Sequence, residues 1–405
     1  MDNVGASFVR ILFHQADRVL FGLLTIPIQE ELHLTDLQIG WINTSLFCTL
    51  AVTTPLAGFL GDRFSRKWII TASLLFWSLM TACTGFVGGM CGLIFFRSIA
   101  TGGGESFYAP SAFALIAAHH KNTRSIALSI HQSALYIGLM FSGALVAWTL
   151  HLFGGWRPVF FTFGGLGFIL GIVFIWALRD GERIKSEGER GTCPSLSQSL
   201  RAYFCNRSAL LATAGLMAVV FANNAYLSWA PKFVARKFDL TVGVAGNGTM
   251  LYHHIASFAA IMLGAFATDA FVKKNPRFRL GLQAAALILG APMLMLVGFS
   301  STVAGVWFAV AAYGVFRGLC EVNTHASLFD VVPPEHRSTA EGLATMIVFL
   351  VGSLSPLMIG ALSDRYGIRG FEIGFVVLGV SYVVGAAMLS LSFFFTFKKD
   401  RVVEI

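Results

Sequence analysis

The chain has 405 residues, 56% hydrophobic and only 12% charged, whereas an average soluble domain has about 25% charged residues. With a mean hydropathy of +0.71, this excludes a soluble enzyme or nucleic-acid-binding domain and points to an integral, multi-pass membrane protein. The formal charge of +8 concentrates between the apolar runs, where it orients a membrane chain.

At about 20 residues per crossing, the chain has room for roughly twelve helices and no sizeable soluble domain. The apolar runs place the first six spans near Val4 to Ile28, Leu37 to Leu60, Trp68 to Val87, Cys91 to Ala118, Ser125 to Leu150 and Pro158 to Leu178. The second six are placed near Ala209 to Ala230, Gly246 to Ala267, Leu280 to Gly298, Val303 to Val332, Thr339 to Leu362 and Phe371 to Phe397. Arg10, His14, Asp17 and Arg18 interrupt the first run, which a cleavable signal peptide would not tolerate. Between the halves, a polar stretch with Arg183, Lys185, Arg190, Pro194 and Arg201 reads as a linker with at most a surface helix. The expected division is a bundle over residues 1–179, a linker over 180–207 and a second bundle over 208–405.

Loop charge sets the expected orientation. Lys273, Lys274, Arg277 and Arg279 lie between the eighth and ninth spans, and Lys398, Lys399 and Arg401 lie in the tail. The first outer loop, Gln29 to Asp36, carries Glu30, Glu31 and Asp36 without a lysine or arginine. Both termini and the linker are therefore expected on the cytoplasmic side of a cell membrane, in bacteria the inner one. Lys232, Arg236 and Lys237, read as belonging to the outer seven–eight loop, run against this trend.

The halves echo one another. Gly143-Ala144-Leu145 in the fifth span recurs as Gly360-Ala361-Leu362 in the eleventh, and Arg124-Ser125 recurs as Arg337-Ser338. Arg97 followed by Glu105 in the fourth span is matched by Arg317 followed by Glu321 in the tenth. Repeats in one order at nearly constant separation indicate two homologous six-helix halves.

Chemistry is expected where charge is buried, because an ionisable group at mid-membrane costs several kcal/mol unless paired or hydrated. Asp17 and Arg18 lie midway along the first span, and Arg97 and Glu105, eight apart, share a face of the fourth. This set is either a static ion network or a proton-coupling device, with Glu105 as the first candidate carrier, Asp17 as the second, and Arg18 and Arg97 as their charge partners. His14, one turn before the pair, joins the candidate substrate contacts. Further candidates are Asn223, Asn224 and Tyr226 in the seventh span, and Arg317, Glu321, Asn323 and His325 in the tenth. Arg317 could bind an anionic substrate or be neutralised by Glu321 four residues on. His131, His253 and His254 also sit in apolar runs, but no histidine carries metal-ligand spacing, and the six cysteines show none. Neither a metal nor a cofactor is expected. With no nucleotide-binding Gly-x-x-x-x-Gly-Lys-Ser/Thr loop and no catalytic constellation, the chain reads as a gradient-driven transporter rather than an enzyme.

Between the second and third spans runs Gly58-Phe-Leu-Gly61-Asp62-Arg63-Phe-Ser-Arg66-Lys67. The two glycines admit close helix ends, the three cations hold the turn at the membrane face, and Asp62 could latch onto a helix N-terminus. This order resembles the two–three loop of the major facilitator superfamily, with a worn copy at Gly264 to Asp269 that lacks the arginines. The Asp17-Arg18 pair, Gly104-Glu105-Ser106-Phe107-Tyr108-Ala109-Pro110 and Gly155-Trp156-Arg157 are similar to segments of its anion:cation symporters and spinster-like lipid transporters, although His14-Gln15 replaces their more usual Asn-Tyr. The resemblance implies an all-α protein of twelve transmembrane helices in two pseudo-symmetric bundles, working by alternating access. Proton-coupled symport of a small organic anion is the first expectation, and carriage of lysophospholipid or sphingolipid-type amphiphiles the alternative. The expected partners are that substrate, protons and the bilayer, with no nucleic acid and a monomeric assembly.

Overall fold

The computed structural model describes Gln15, residues 17–108, Ala112, residues 124–177 and residues 195–402, all helix, turn or connection, with no strand among them. Among these residues ten helices are long and apolar enough to cross a membrane. They correspond to the second, third and fifth to twelfth expected spans. Of the other two, the first is helical at 17–23 and again over Thr25–Leu32. The fourth runs from Met90–Gly92 through a π-helix at Leu93–Ala100 to Thr101–Ser106. Its described helical stretch ends at Ser106, short of the expected span, and carries Arg97 and Glu105.

Local sequence explains several boundaries. The second span, Asp36–Arg63, begins on a reciprocal cap between Thr35 and Gln38, and the third, Arg66–Thr84, begins on the Ser65 side chain. The helix Leu196–Phe204 in the linker repeats the reciprocal cap with Ser195 and Gln198. The tenth span stops at Glu321 and resumes as Thr324–Phe329, and the eleventh is two helices, Arg337–Gly352 and Leu354–Tyr366. The seventh, expected to end at Ala230, continues through Pro231 to Phe238 in the helix Arg207–Phe238. Lys232 is thus not a loop cation: it is helical and 1% exposed. Asp36, expected in the preceding outer loop, is the first residue of a helix and also buried.

Contacts divide the chain into two compact units. One comprises the residues up to Lys185 together with Leu227–Leu251 and Pro356–Ile368; the other comprises Ser186–Tyr226, Tyr252–Ser355 and Arg369–Ile405.

In the first unit the third span lies along the sixth, Trp156–Ala177, where Gly164 leaves room for the Ser78–Ala82 backbone. Ile70, Leu74, Trp77, Tyr108, Ala134 and Phe174 form its buried cluster. The Trp156-Arg157 pair ties three helix ends together. Trp156 Nε1 donates to Glu31 (2.6 Å), Arg157 Nε donates to the same carboxylate (2.8 Å), and Arg157 Nη1 donates to the Gly85 and Val87 carbonyls, both at 2.8 Å. At the same end, Trp229 Nε1 donates to the Pro356 carbonyl (2.9 Å).

In the second unit the ninth span, Phe278–Phe299, lies along the tenth, and Tyr382 of the twelfth, Ile368–Leu391, closes against Gly290. The linker helix is docked by Ser199 on His336 (3.0 Å) and Tyr203 on Thr213 (2.8 Å), and Asn206, just beyond it, donates to the Val331 carbonyl (2.7 Å). The tail is held by Asp400, which accepts from the Ser208 amide at 3.0 Å.

The hydrogen bond from Arg157 holds the Glu31 carboxyl below the usual carboxylate range. A carboxylate depressed in this way stabilises the fold above its ordinary value of 4.5 and loses that contribution as pH falls through the folded value. Arg157→Gln is expected to cost about 1–3 kcal/mol, because two backbone carbonyls and a carboxylate lose their donor. Thermal unfolding of the purified variant checks this, and its stability should fall less on acidification than that of the unmodified chain.

Candidate functional site

The first unit holds a buried charge set built from the first, third and fourth spans. Asp17 and Arg97 are each 1% exposed, and Glu105 is 4% exposed. Arg97 Nη2 donates to the backbone carbonyls of Asp17 (3.0 Å) and Arg18 (2.8 Å), while its Nη1 lies 3.9 Å from Asp17 Oδ2. The same carboxylate oxygen accepts from Thr81 Oγ1 at 3.1 Å. Among the described residues, Asp17 Oδ1 and Arg97 Nε have no hydrogen-bond partner. Glu105 is close enough to act electrostatically on both Asp17 and Arg18.

The π-helix explains how Arg97 reaches this position. Its wider turn lets the Thr101 hydroxyl bond back five residues to the Phe96 carbonyl (2.7 Å), while Ser98 donates to Ile42 O of the second span (2.6 Å). Such insertions mark places where a side chain is re-aimed away from simple helical periodicity. Arg97 and Glu105 therefore meet the first span through a distorted helix rather than one regular face. Thr81 is a member that sequence reasoning missed, since a threonine in an apolar helix gives no signal without its neighbour.

In the second unit Arg317 lies beside Glu321, as the spacing of the two allowed. Arg317 Nη2 and Glu321 Oε2 form an i,i+4 pair at 2.8 Å. Around it lies a buried aromatic cluster that adds Tyr313 and Tyr382 to the Tyr226 and His253 noted in the sequence. The His253 ring stacks on Tyr313 with centroids 4.8 Å apart and lies 4.6 Å from Tyr226, and Tyr313 is 6.0 Å from Tyr382. Asn224 is buried beside Gly352, and Asn223 is half-buried with its side-chain oxygen unbonded among the described residues. Asn323 donates to Thr268 Oγ1 at 3.0 Å, an inter-helix bond, and His325 pairs with Glu341 at 2.6 Å.

His14 lies outside the described residues. Gly58 and Gly61 fall in the helix that ends at Arg63, with Asp62 and Arg63 at its last turn and Arg66 opening the next; the side chains of Asp62, Arg63 and Arg66 lie outside the described set. Lys67 sits 5.7 Å from the Trp68 ring. His131 is likewise outside the described side chains. Among the described residues no group of histidine, cysteine, aspartate and glutamate side chains could hold a metal.

Residues 6–356 match the family model of the Major Facilitator Superfamily, and the chain belongs to that superfamily of membrane transporters. It is similar to the protein spinster of Drosophila melanogaster, 28% identical over 380 residues that make up 88% of this chain and 60% of that one. It is similar also to the sphingosine-1-phosphate transporter SPNS2 of Xenopus tropicalis, 26% identical over 378 residues, 89% of this chain and 73% of that one. Among solved structures, a bacterial homolog of the human lysosomal transporter spinster superposes with a TM-score of 0.87 at 19% identity, covering 100% of this chain and 98% of the other. The nucleoside transporter NupG superposes at 0.76 with 16% identity, covering 97% of this chain and 98% of the other. The fold is thus the all-α major facilitator fold, which is not specific to one substrate. The chain is a multi-pass membrane transporter and not an enzyme.

Removing Arg97 alone would leave the Asp17 carboxyl buried without its cation and the Asp17 and Arg18 carbonyls without their donor. Arg97→Met is expected to cost about 3–5 kcal/mol of stability, the usual penalty for breaking one side of a buried pair. Adding Asp17→Asn should recover much of that loss, as read by thermal unfolding of the single and double variants.

Proposed function

We propose that this chain is a spinster-type secondary transporter of an amphiphile with a polar head, coupled to protons through Asp17 and Glu105. The observation that carries the coupling is the buried charge set. Asp17 presents one carboxylate oxygen to Arg97 and Thr81 and leaves Oδ1 without a partner among the described residues, so a proton there would disturb no existing bond. A carboxylate that gains a proton when its cation moves away, and loses it when the cation returns, links proton transfer to a conformational cycle. Arg97 is the cation suited to that role, since it holds the first span by backbone carbonyls as well as by charge.

Of the two substrate classes open from the sequence, the amphiphile is supported by the similarity to spinster proteins, one of them named for sphingosine-1-phosphate transport. It is also supported by a groove of about 330 Å³ on the first unit, lined almost wholly by apolar side chains including Ile69, Ala72, Phe76 and Phe107, with Gly103 and Gly104 on its floor. These glycines directly precede Glu105, so one helix segment offers both an apolar surface and a buried acid. The second unit by itself carries polar side chains of the kind a charged head would meet, Asn223, Asn224, Tyr226 and the Arg317–Glu321 pair. In this reading the chain works as two six-helix halves joined by the linker, as a monomer, with Asp62 latching the two–three turn in one access state and with both termini cytoplasmic.

Uptake into proteoliposomes of a panel of lysolipids and small organic acids, with and without a pH gradient, tests the substrate and the coupling together. Gradient-dependent uptake of a lysolipid is expected; uptake of organic acids alone would overturn the substrate class. Glu105→Gln and Asp17→Asn should each abolish gradient-driven accumulation while retaining binding, and accumulation equal to the unmodified chain in both would remove the proton from these residues. For orientation, His33→Cys is expected to react with an impermeant thiol reagent on intact cells and Lys399→Cys to be spared.

A further inference from the structure

The second unit brings its linker helix, the turn between the eighth and ninth spans and the tail to one end, where several contacts tie them together. Arg279 Nη1 donates to both carboxylate oxygens of Asp330 at 2.7 Å, and the Asp330 carbonyl accepts from the Val402 amide of the tail at 3.0 Å. Arg277 of the same turn lies 5.6 Å from the Phe393 ring, in the π-helical turn Ser392–Thr396 that continues the twelfth span. The Asp400 carboxylate accepts from the Ser208 amide, and the Ser208 and Thr396 hydroxyls meet at 2.6 Å. Tail, turn and the start of the seventh span are thus joined by direct bonds.

Positive charge accumulates at this end without being neutralised. Arg201, Lys273, Lys274, Lys398, Lys399 and Arg401 are all exposed, and none makes an ion pair with another described residue, whereas Arg279 is matched by Asp330. Arg201 and Asp400 face a groove of about 460 Å³ between the linker helix and the tail, lined also by Gln198, Ala202, Cys205 and Asn206. The carboxylate of Asp400 is turned to the Ser208 amide, so Arg201 keeps its charge in the groove. Apolar surface adjoins the cations. Phe204 at the end of the linker helix is 50% exposed, and Phe394 and Phe395, beside Phe393, are 65% and 69% exposed. The linker helix itself is two-sided, with Ser199 and Tyr203 buried in its dock and Arg201 and Phe204 facing outward.

We propose that this end of the second unit binds an anionic phospholipid of the surrounding leaflet, its phosphate at the Arg201 groove and the Lys398, Lys399 and Arg401 rim, its acyl chains against Phe204, Phe394 and Phe395. Unpaired cations by themselves would suit any anion. The rings decide for a lipid, because a soluble phosphate gains nothing from exposed phenylalanine, whereas a phospholipid presents phosphate and chains together at the membrane boundary. Basic loops also orient a membrane chain, but orientation requires neither a groove nor a docked helix. Here Ser199 and Tyr203 fix the linker helix through their bonds to His336 and Thr213, so Arg201 is presented from a held surface. A cation held in place loses less freedom on binding than one on a free loop.

Binding is read on the purified full chain in neutral detergent without any transported substrate, so its outcome is separate from the transport assignment. Native mass spectrometry and the thermal unfolding midpoint are followed as dioleoyl phosphatidylglycerol or dioleoyl phosphatidylcholine is added. Phosphatidylglycerol is expected to remain bound and to raise the midpoint; phosphatidylcholine should do neither. Arg201→Gln, Lys399→Gln and Arg401→Gln in combination should weaken phosphatidylglycerol binding at least about tenfold. The same loss of charge by Arg236→Gln, Arg365→Gln and Arg369→Gln, at the other ends of the seventh and twelfth spans and in the turn before the twelfth, should leave binding unchanged. All six positions are exposed, and an unaltered lipid-free midpoint checks that both variants fold. Phe394→Ala with Phe395→Ala should also weaken the lipid, and glycerol phosphate should not compete with it. Equal retention of phosphatidylcholine, or equal binding by the two triple variants, overturns the proposal. Full competition by glycerol phosphate overturns it in favour of a free-anion site.

Discussion

The cost of holding charge away from water governs this structure. A chain that is 56% hydrophobic could bury its helices with apolar and small residues alone, yet it places Asp17, Arg97, Glu105, Lys232 and Asp36 almost entirely out of solvent. Asp17, Arg97, Lys232 and Asp36 each meet a carbonyl, a hydroxyl or an opposite charge from a different helix. Where charge is satisfied only between helices, helix positions and protonation states become coupled quantities.

The two ion clusters of the first unit divide the work by position. Arg97 reaches the first span through a π-helical turn and grips its backbone as well as its carboxylate, so it constrains the first span's place along the fourth. Lys232 and Asp364 make their bonds at helix ends. The second unit is built differently, around the Arg317–Glu321 pair and rings of His253, Tyr226, Tyr313 and Tyr382. Rings with polar edges suit recognition of a head group, since they combine apolar area with hydrogen-bonding capacity.

The repeats connect sequence history to mechanism. Gly143 and Gly360 allow the same kind of close helix approach in the two repeats, by the absence of a side chain. Four positions beyond these glycines the two contacts differ, with Ala147 in one and Asp364 in the other. A fold with this symmetry can carry unlike chemistry in its halves because close packing needs small residues at a few positions only.

Composition alone determined that this is a membrane protein, since so few charges over so long a chain leave no other solvent for its helices. The apolar runs located most spans, and the charge pairs within them pointed to Asp17, Arg97 and Glu105 because a buried charge is conspicuous in an apolar run. Lys232 was misplaced for the converse reason: beside Pro231 and near Arg236 and Lys237 it reads as a loop, and only Asp36, almost two hundred residues away, makes a buried helical lysine stable. Asp364, Thr81, Tyr313 and Tyr382 likewise carry no local mark. Their roles arise from which helices lie side by side, and that is decided by tertiary packing, where a hydroxyl or carboxylate acquires meaning only from the group it faces.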